Sequence, residues 1–326
     1  MALRACILLL LCCVACASRP PLPPRAIALN DAGVAALSVG DLQTAEARFT
    51  LATEYGPRFT EAWVNLGLVE LRRGNLQLAY KRFDRARSLN PDLPTPHHAL
   101  GLLAEKRGLV DEAERHYALA LRVDPGFLPS RHNLGRLLFA RRAFDEAKSQ
   151  FLRMTELAPA DRNGHLGLVE CLFRLGREVE ADQALARARR LLGDDAELRL
   201  LLGRQLLHRG NFSEAEPLFA ELTQAQEAHV AGAAWAFVGV ARLGRGDAVG
   251  AERAASEALR VDRDDPVATY TMAMALVARG DRLRSRTYLE RAKALGAIDE
   301  QSVRRLQTCE PARCAQELSA TKPARR

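Results

Sequence analysis

Small and large apolar residues recur along this chain at a fixed interval of 34 residues. The recurring alanines are Ala45, Ala79, Ala113, Ala147, Ala181 and Ala215. Four residues after each of them comes a larger apolar residue, at Phe49, Phe83, Tyr117, Phe151, Leu185 and Phe219. Twelve residues before each of them stands a glycine or valine, at Gly33, Gly67, Gly101, Gly135, Val169 and Gly203. A fixed period of this length predicts a stack of similar supersecondary units, none of which buries its apolar face alone.

Within each period the pattern predicts two helices joined by a short turn. Glycine in the middle of the period, as at Gly74 and Gly108, is typical of a helix C-terminus. The pairs Asn90-Pro91 and Asp124-Pro125 indicate a break before the next unit, because proline disfavours a helical residue before it. Eight units are predicted, at 26–59, 60–93, 94–127, 128–161, 162–195, 196–229, 232–265 and 266–299.

The repeating residues resemble the tetratricopeptide repeat pattern, which is clearest in the second unit. That unit carries Trp63, Leu66, Gly67, Ala79, Phe83, Ala86 and Pro91. The resemblance implies an all-α fold, a right-handed superhelical solenoid of about eight helical hairpins. Residues 300–308 are predicted to form a capping helix, because solenoid ends need a polar outer face. The capping helix and a basic tail together make up residues 300–326.

Three of the later units depart from the pattern. Signature positions hold Val169, Ala255 and Ser285, so the fifth, seventh and eighth repeats are expected to pack less uniformly. The pair Val230-Ala231 is an insertion between the sixth and seventh repeats, and we expect it to change the geometry of the stack there.

The first residues of the chain have the features of an export signal. Arg4 precedes an apolar run from Ala5 to Ala17, and at thirteen residues this run is too short to span a membrane as a helix. Residues 1–15 are therefore interpreted as a signal peptide.

The cleavage site has two interpretations. Val14-Ala15-Cys16 resembles the end of a bacterial lipobox, although Cys13 stands where that motif usually has Leu, Val or Ile. In this interpretation Cys16 is lipidated, and residues 16–25 form a proline-rich tether that holds the protein off a membrane. The residue after Cys16 is not the aspartate that signals inner-membrane retention, so the predicted location is the periplasmic side of the outer membrane. Cleavage after Ala17 would instead release a soluble periplasmic protein.

Composition and charge narrow the class of partner. Of 326 residues, 48% are hydrophobic and 6% aromatic, which excludes a collagenous or wholly disordered chain. The 47 basic residues exceed the 40 acidic ones by seven. The arginines are scattered singly or in pairs beside acidic residues rather than concentrated on one segment, so no nucleic-acid partner is predicted.

The cysteines outside the signal segment predict little chemistry. Cys171 lies in an apolar helical pattern and is expected to be a small buried residue. Cys309 and Cys314 have four residues between them and are candidates for a disulfide in an oxidising compartment. A zinc site there would lack a second pair of ligands, so no metal is predicted.

No catalytic or cofactor motif is present in the sequence. The seven histidines are scattered, and the adjacent His97 and His98 must point in different directions on a helix. The chain is therefore predicted not to be an enzyme and to need no cofactor.

The resemblance implies that a protein or peptide partner binds along a concave face lined by the first helix of each hairpin. Two positions one helical turn apart describe that face. The residues predicted to line it are Asn65, His98, His132, Asn133, Arg136 and Arg204. The middle of the groove is expected to be basic and its ends apolar. Asn65 and Asn133 have two interpretations, as donors to a ligand backbone or as surface residues without a partner.

Two functional hypotheses follow. The first is a lipid-anchored outer-membrane scaffold, similar to the tetratricopeptide lipoproteins that help to assemble secretin pores for type IV pili. The second is a soluble periplasmic adaptor or accessory subunit of an enzyme system, with the same groove and no membrane anchor.

Overall fold

A computed structural model describes residues 21–193 and 195–298, and these residues form sixteen α-helices and no strand. The first eight helices are α1 Pro24–Ser38, α2 Leu42–Tyr55, α3 Thr60–Arg73, α4 Leu76–Leu89, α5 Pro94–Lys106, α6 Val110–Val123, α7 Leu128–Ala140 and α8 Phe144–Leu157. The others are α9 Arg162–Arg174, α10 Glu178–Leu192, α11 Ala196–His208, α12 Phe212–Leu222, α13 Ala228–Gly244, α14 Ala248–Val261, α15 Pro266–Ala278 and α16 Arg282–Ala294.

Several sequence predictions fall outside the described residues. They are the signal peptide, the lipidated Cys16, the pair Cys309 and Cys314, and the capping helix with its tail at 300–326. These stay predictions.

The chain divides into two compact units, Met1–Leu137 and Leu138–Arg326, called unit 1 and unit 2 below. In unit 1, α1 pairs with α2, α3 with α4 and α5 with α6, and the first helices of these hairpins lie beside one another. In unit 2, the helices from α8 to α16 likewise pack against their neighbours in chain order. The prediction of an all-α stack of helical hairpins is confirmed.

Acidic side chains begin many of these helices. In unit 2, Asp161, Asp195, Asp247 and Asp265 each accept a hydrogen bond from the backbone N–H three residues later. Such a bond satisfies one of the N–H groups that the first turn leaves without an intrahelical partner.

Glycine in the first helix of a hairpin makes room for an aromatic ring from the second. A Cβ added to Gly67 would lie 2.3 Å from Cε1 of Phe83, far inside van der Waals contact. The same relation joins Gly33 to Phe49, Gly101 to Tyr117 and Gly203 to Phe219. Where a larger residue replaces the glycine, the aromatic ring is replaced as well: Val169 shares a core cluster with Leu185, and Ala273 with Leu289. In these repeats the smaller residue at one position goes with the larger residue at the other, 16 residues away, whereas the seventh repeat has the two small residues Gly239 and Ala255.

The structure corrects one expectation about the tether. Pro24 and Arg25, predicted as the end of the extended tether, are the first two residues of α1. Proline suits this position because its fixed φ is helical and the N–H that it lacks would be unsatisfied there.

The inserted pair Val230-Ala231 lies inside helix α13 rather than in a connection. Helix α13 has 17 residues, whereas the preceding α12 has only 11 and contains Pro217. The insertion therefore lengthens the start of one helix beside a shortened neighbour.

Candidate functional site

The first helices of the hairpins in unit 1 enclose an open cavity of about 530 Å³. Its floor consists of four leucines from α1, α3 and α5: Leu37, Leu68, Leu71 and Leu102. Charged side chains stand at its edge: Arg72, Glu105 and Lys106. We call this cavity the leucine groove.

The 34-residue period explains the composition of the leucine groove. Leu68 and Leu102 occupy equivalent positions in successive 34-residue repeats, and so do Arg72 and Lys106. A third row runs from Leu37 through Leu71 and changes to a carboxylate at Glu105. Stacked hairpins place equivalent residues side by side, so a row of leucines in the sequence becomes a continuous apolar surface.

The edge of the leucine groove carries one ammonium group with no partner among the described residues. Arg72 donates a hydrogen bond to the backbone carbonyl of Leu37 at 2.6 Å. Glu105 is engaged by Tyr117 and Arg136. Lys106 is exposed and remains available to an acidic group of a ligand.

Glu105 is the centre of a polar network beside the leucine groove. The hydroxyl of Tyr117 donates to one oxygen of Glu105 at 2.5 Å, and Arg136 forms an ion pair with the other. Asn133 donates to the Tyr117 oxygen at 3.3 Å. Burial and the Glu105 carboxylate raise the pKa of Tyr117 well above its usual value, so the phenol stays protonated. The network is internally satisfied and holds α5, α6 and α7 together.

His98 lies next to this network and is largely buried. Its Nδ1 is 3.0 Å from Oγ of Ser130, and its ring centroid is 5.5 Å from the rings of Tyr117 and Phe127. Burial lowers the pKa of His98 to about 4, although Glu105 opposes this shift. The imidazole is therefore neutral at pH 7 and acts as a packing residue rather than a cation.

His97 points elsewhere, as the sequence predicts for adjacent helical residues. Its ring centroid lies 6.2 Å from that of His116 on α6. Burial lowers the pKa of both histidines, and Arg87 adds to the effect.

The structure brings most of the predicted groove residues into unit 1, but against protein partners. Asn65 donates to Oδ1 of Asn30 at 2.8 Å, so it is not a surface residue without a partner, and its role as a donor to a ligand stays a prediction. Asn133 is likewise bonded to Tyr117. His132 is half-buried on α7.

The expectation of a basic groove is corrected by the ion pairs. Arg136 is paired with Glu105 in unit 1. Arg204, which belongs to unit 2, donates two hydrogen bonds to Glu170, at 2.7 and 3.0 Å. Burial raises the pKa of Glu170, but the adjacent Arg204 and Arg174 outweigh it and hold that pKa below its usual value. Each guanidinium is neutralised by a carboxylate from a neighbouring first helix, which a list of basic positions does not reveal.

Sequence reasoning missed Leu37 and Leu71 on the groove floor and Glu105 at the centre of the network. In the sequence, only two positions of the first helix were compared, and these three residues occupy a third position. Comparing Leu37, Leu71 and Glu105 at intervals of 34 residues would have found both the apolar floor and the point where it ends.

The described residues offer little other chemistry. No group of three or more His, Cys, Asp or Glu side chains is placed to hold a metal ion within them. None of their helices is both long and apolar enough to cross a bilayer. Cys171 is a buried free thiol whose pKa burial raises to about 12, so it is a packing residue, as predicted.

Part of the chain matches a known repeat family. The tetratricopeptide repeat family model matches residues 30–94 and 132–196. No protein with a curated description has a matching sequence.

Solved structures of tetratricopeptide repeat proteins share the fold. A chain of the APC/C hetero-tetramer Cut9–Hcn1 is 17% identical with a TM-score of 0.61, and the match covers 91% of this chain and 55% of that one. A tetratricopeptide repeat protein from Parabacteroides merdae is 17% identical with a TM-score of 0.58, covering 78% of this chain and all of that one. PilF of Pseudomonas aeruginosa is 19% identical with a TM-score of 0.53, covering 66% and 96%. The chain thus spans little more than half the length of its Cut9–Hcn1 counterpart.

Proposed function

We propose that this chain, a tetratricopeptide repeat protein, is a non-enzymatic scaffold that binds a segment of a partner protein in the leucine groove. We further propose that a lipid on Cys16 anchors it to the periplasmic side of the outer membrane, where it assists the assembly of an envelope complex. Tetratricopeptide repeat proteins are protein-interaction scaffolds, and the finer parts of the proposal rest on the leucine groove and the sequence around Cys16.

The leucine groove is the observation that carries the binding proposal. Four leucines from the first helices of three successive hairpins form one concave apolar surface with charged residues only at its edge. Concave apolar surfaces with a few polar groups are typical of binding sites. The groove suits a segment with apolar side chains for the floor and an acidic group for Lys106.

Replacing Leu68 and Leu102 together by aspartate is expected to weaken partner binding at least about tenfold. An unpaired carboxylate on the groove floor must lose its hydration when an apolar side chain docks, which costs about 2 kcal/mol or more. The measurement is quantitative recovery of the partner from envelope fractions of the native host, with tagged wild-type and variant protein compared side by side.

The matched control is Leu78→Asp, which adds one charge at a partly exposed leucine on the second helix of a unit 1 hairpin, α4. This variant should retain the partner. Circular dichroism shows whether each variant keeps its helices. Equal recovery with the groove variant and the wild type would place the binding surface elsewhere on the protein.

The anchor has a separate test. Substituting Cys16→Ser is expected to move the protein from the membrane fraction to the soluble periplasmic fraction, because serine cannot form the thioether to the lipid. Acyl chains contribute about 0.8 kcal/mol per buried methylene group, so losing them removes most of the membrane affinity. Cys12→Ser is the control and should leave the distribution unchanged.

The mass of the mature N-terminal peptide decides between the two hypotheses. A diacylglyceryl mass on Cys16 supports the anchored scaffold. An unmodified peptide that begins at Ser18 contradicts it and favours the soluble periplasmic adaptor.

A further inference from the structure

Unit 2 contains a second cavity, of about 410 Å³, formed by α12, α13 and the start of α14. Three guanidinium groups line it, those of Arg242, Arg245 and Arg253. Two carboxylates, Glu216 and Asp247, complete its polar lining. This arginine cavity is distinct in composition from the leucine groove and is independent of the function proposed above.

One of the three arginines belongs to a structural pattern of the repeat. An arginine at the end of a first helix pairs with an acid on the second helix of the preceding hairpin, as in Arg73 with Glu46 and Arg209 with Asp182. Arg245 with Glu216 is the same pair in the seventh repeat, at 2.5 Å. Its presence is explained by the stacking of hairpins.

Arg242 and Arg253 are additions to that pattern. Equivalent positions of neighbouring repeats hold Leu206 and the fully buried Leu276 where repeat 7 has Arg242. Arg242 makes a second pair with Glu216, on α12 of the preceding hairpin, beside the pair that Arg245 already makes there. Arg242 is therefore a feature of this repeat and not of the repeat pattern.

The guanidinium groups of the arginine cavity have more N–H donors than its carboxylates accept. Glu216 accepts from Nε of Arg242 at 2.8 Å and from Arg245, so both of its oxygens are engaged. Although burial opposes it, these two arginines hold the pKa of Glu216 below its usual value, so it is ionised. Asp247 accepts from the backbone N–H of Gly250 at 2.8 Å, as the cap of α14.

The remaining donors belong to residues that line the cavity. Within the described residues, the terminal nitrogens of Arg242 make no hydrogen bond, and Arg253 has neither a hydrogen-bond nor an ion-pair partner. The cavity therefore combines three positive charges with two negative ones, of which Glu216 is engaged through both oxygens and Asp247 through one.

The next ion-pair cluster along unit 2 is balanced by comparison. Glu252 also has two guanidinium partners, Arg279 and Arg284. There Asp281 pairs with Arg284 as well, so two acids meet two bases. The arginine cavity therefore has one more basic than acidic residue, whereas this neighbouring cluster has equal numbers.

We propose that the arginine cavity binds an oxyanion, a carboxylate or phosphate group carried by a ligand. Guanidinium groups donate parallel pairs of hydrogen bonds that match the two oxygens of such a group. Arg242 and Arg253 supply the free donors, and the partly exposed Val249 at the edge of the cavity offers an apolar contact to the rest of the ligand.

Calorimetric titration of the full chain with two probes tests this proposal. The first probe is inorganic phosphate, and the second is an acetylated and amidated peptide, Glu-Glu-Leu-Glu-Glu, compared with its glutamine counterpart. Saturable binding of phosphate supports a site for free oxyanions. Binding of the glutamate peptide alone supports a site for peptide carboxylates.

The variant Arg253→Gln should weaken binding of the active probe at least tenfold, and Arg242→Gln with Arg253→Gln should abolish it. Because Arg253 has no partner, its replacement leaves the fold intact, so weaker binding reports the site. The control is Arg260→Gln, an exposed arginine on the same helix that is paired with Glu257. If neither probe binds at millimolar concentration, or if Arg253→Gln and Arg260→Gln behave alike, the proposal is overturned.

Discussion

The substitution Gly67→Val is expected to lower the free energy of unfolding of unit 1 by about 3 kcal/mol. Its Cβ would lie 2.3 Å from the ring of Phe83, which is fully buried and has no room to withdraw. Overpacking a core typically costs about 1–3 kcal/mol, and here even the first added carbon overlaps the ring. The better helix propensity of a residue other than glycine recovers less than about 1 kcal/mol.

The chain itself supplies the compensating change. At the equivalent positions of the fifth repeat, Val169 packs with Leu185, so the double variant Gly67→Val with Phe83→Leu should regain much of the lost stability. Phe83→Leu alone is the reference for the cavity that a smaller side chain leaves. If Gly67→Val is as stable as the wild type, the ring and the glycine do not form the tight contact described.

Urea unfolding followed by tryptophan fluorescence measures this in unit 1 alone. The chain has two tryptophans, Trp63 in unit 1 and Trp235 in unit 2. In a Trp235→Phe background the signal comes from Trp63, whose Nε1 donates to the carbonyl of Pro57 at 3.1 Å.

Acidification from pH 6.5 to pH 4 is expected to destabilise unit 1 by up to about 3 kcal/mol through His98. The folded pKa of His98, about 4, is below the ordinary value of 6.5, so the unfolded chain takes up the proton first as the pH falls. The stability from neutral His98 is therefore complete above pH 6.5 and is lost progressively down to pH 4. One pKa unit corresponds to about 1.4 kcal/mol.

The variant His98→Asn isolates this contribution. Asparagine can still hydrogen-bond Ser130 but cannot titrate, so its stability should vary less with pH than that of the wild type, although it is less stable at pH 7. His97 and His116 stay in both proteins, and the lowered pKa of each gives a shared background in the same direction. The measurement is the Trp63 urea midpoint at several pH values. Parallel pH profiles for the two proteins would contradict the role of His98.

The hairpins were predictable because their signals are local and repeated. A glycine at the end of a first helix and an Asp-Pro or Asn-Pro pair before the next unit each act within a few residues of the chain. The helix that absorbs Val230-Ala231 was not predictable in this way. Helix α13 contains the pair and packs against the shorter α12, which is a feature of the tertiary structure.

The site was predictable in part. The sequence shows that Arg136 and Arg204 are basic. It does not show which acidic residue lies opposite each of them. Glu105 is 31 residues from Arg136, and Glu170 is 34 residues from Arg204, so each ion pair depends on how hairpins stack.

By itself the sequence determined the repeat and its helices, because both follow from a period that the chain repeats many times. Only the tertiary structure decided which polar groups are used up and which remain available. Glu105 is taken by Tyr117 and Arg136, whereas Lys106 and Arg253 keep their charges unpaired among the described residues. The physical reason is that hydrogen bonds and ion pairs depend on distances of about 3 Å between side chains of different helices. Such distances follow from packing and not from spacing along the chain.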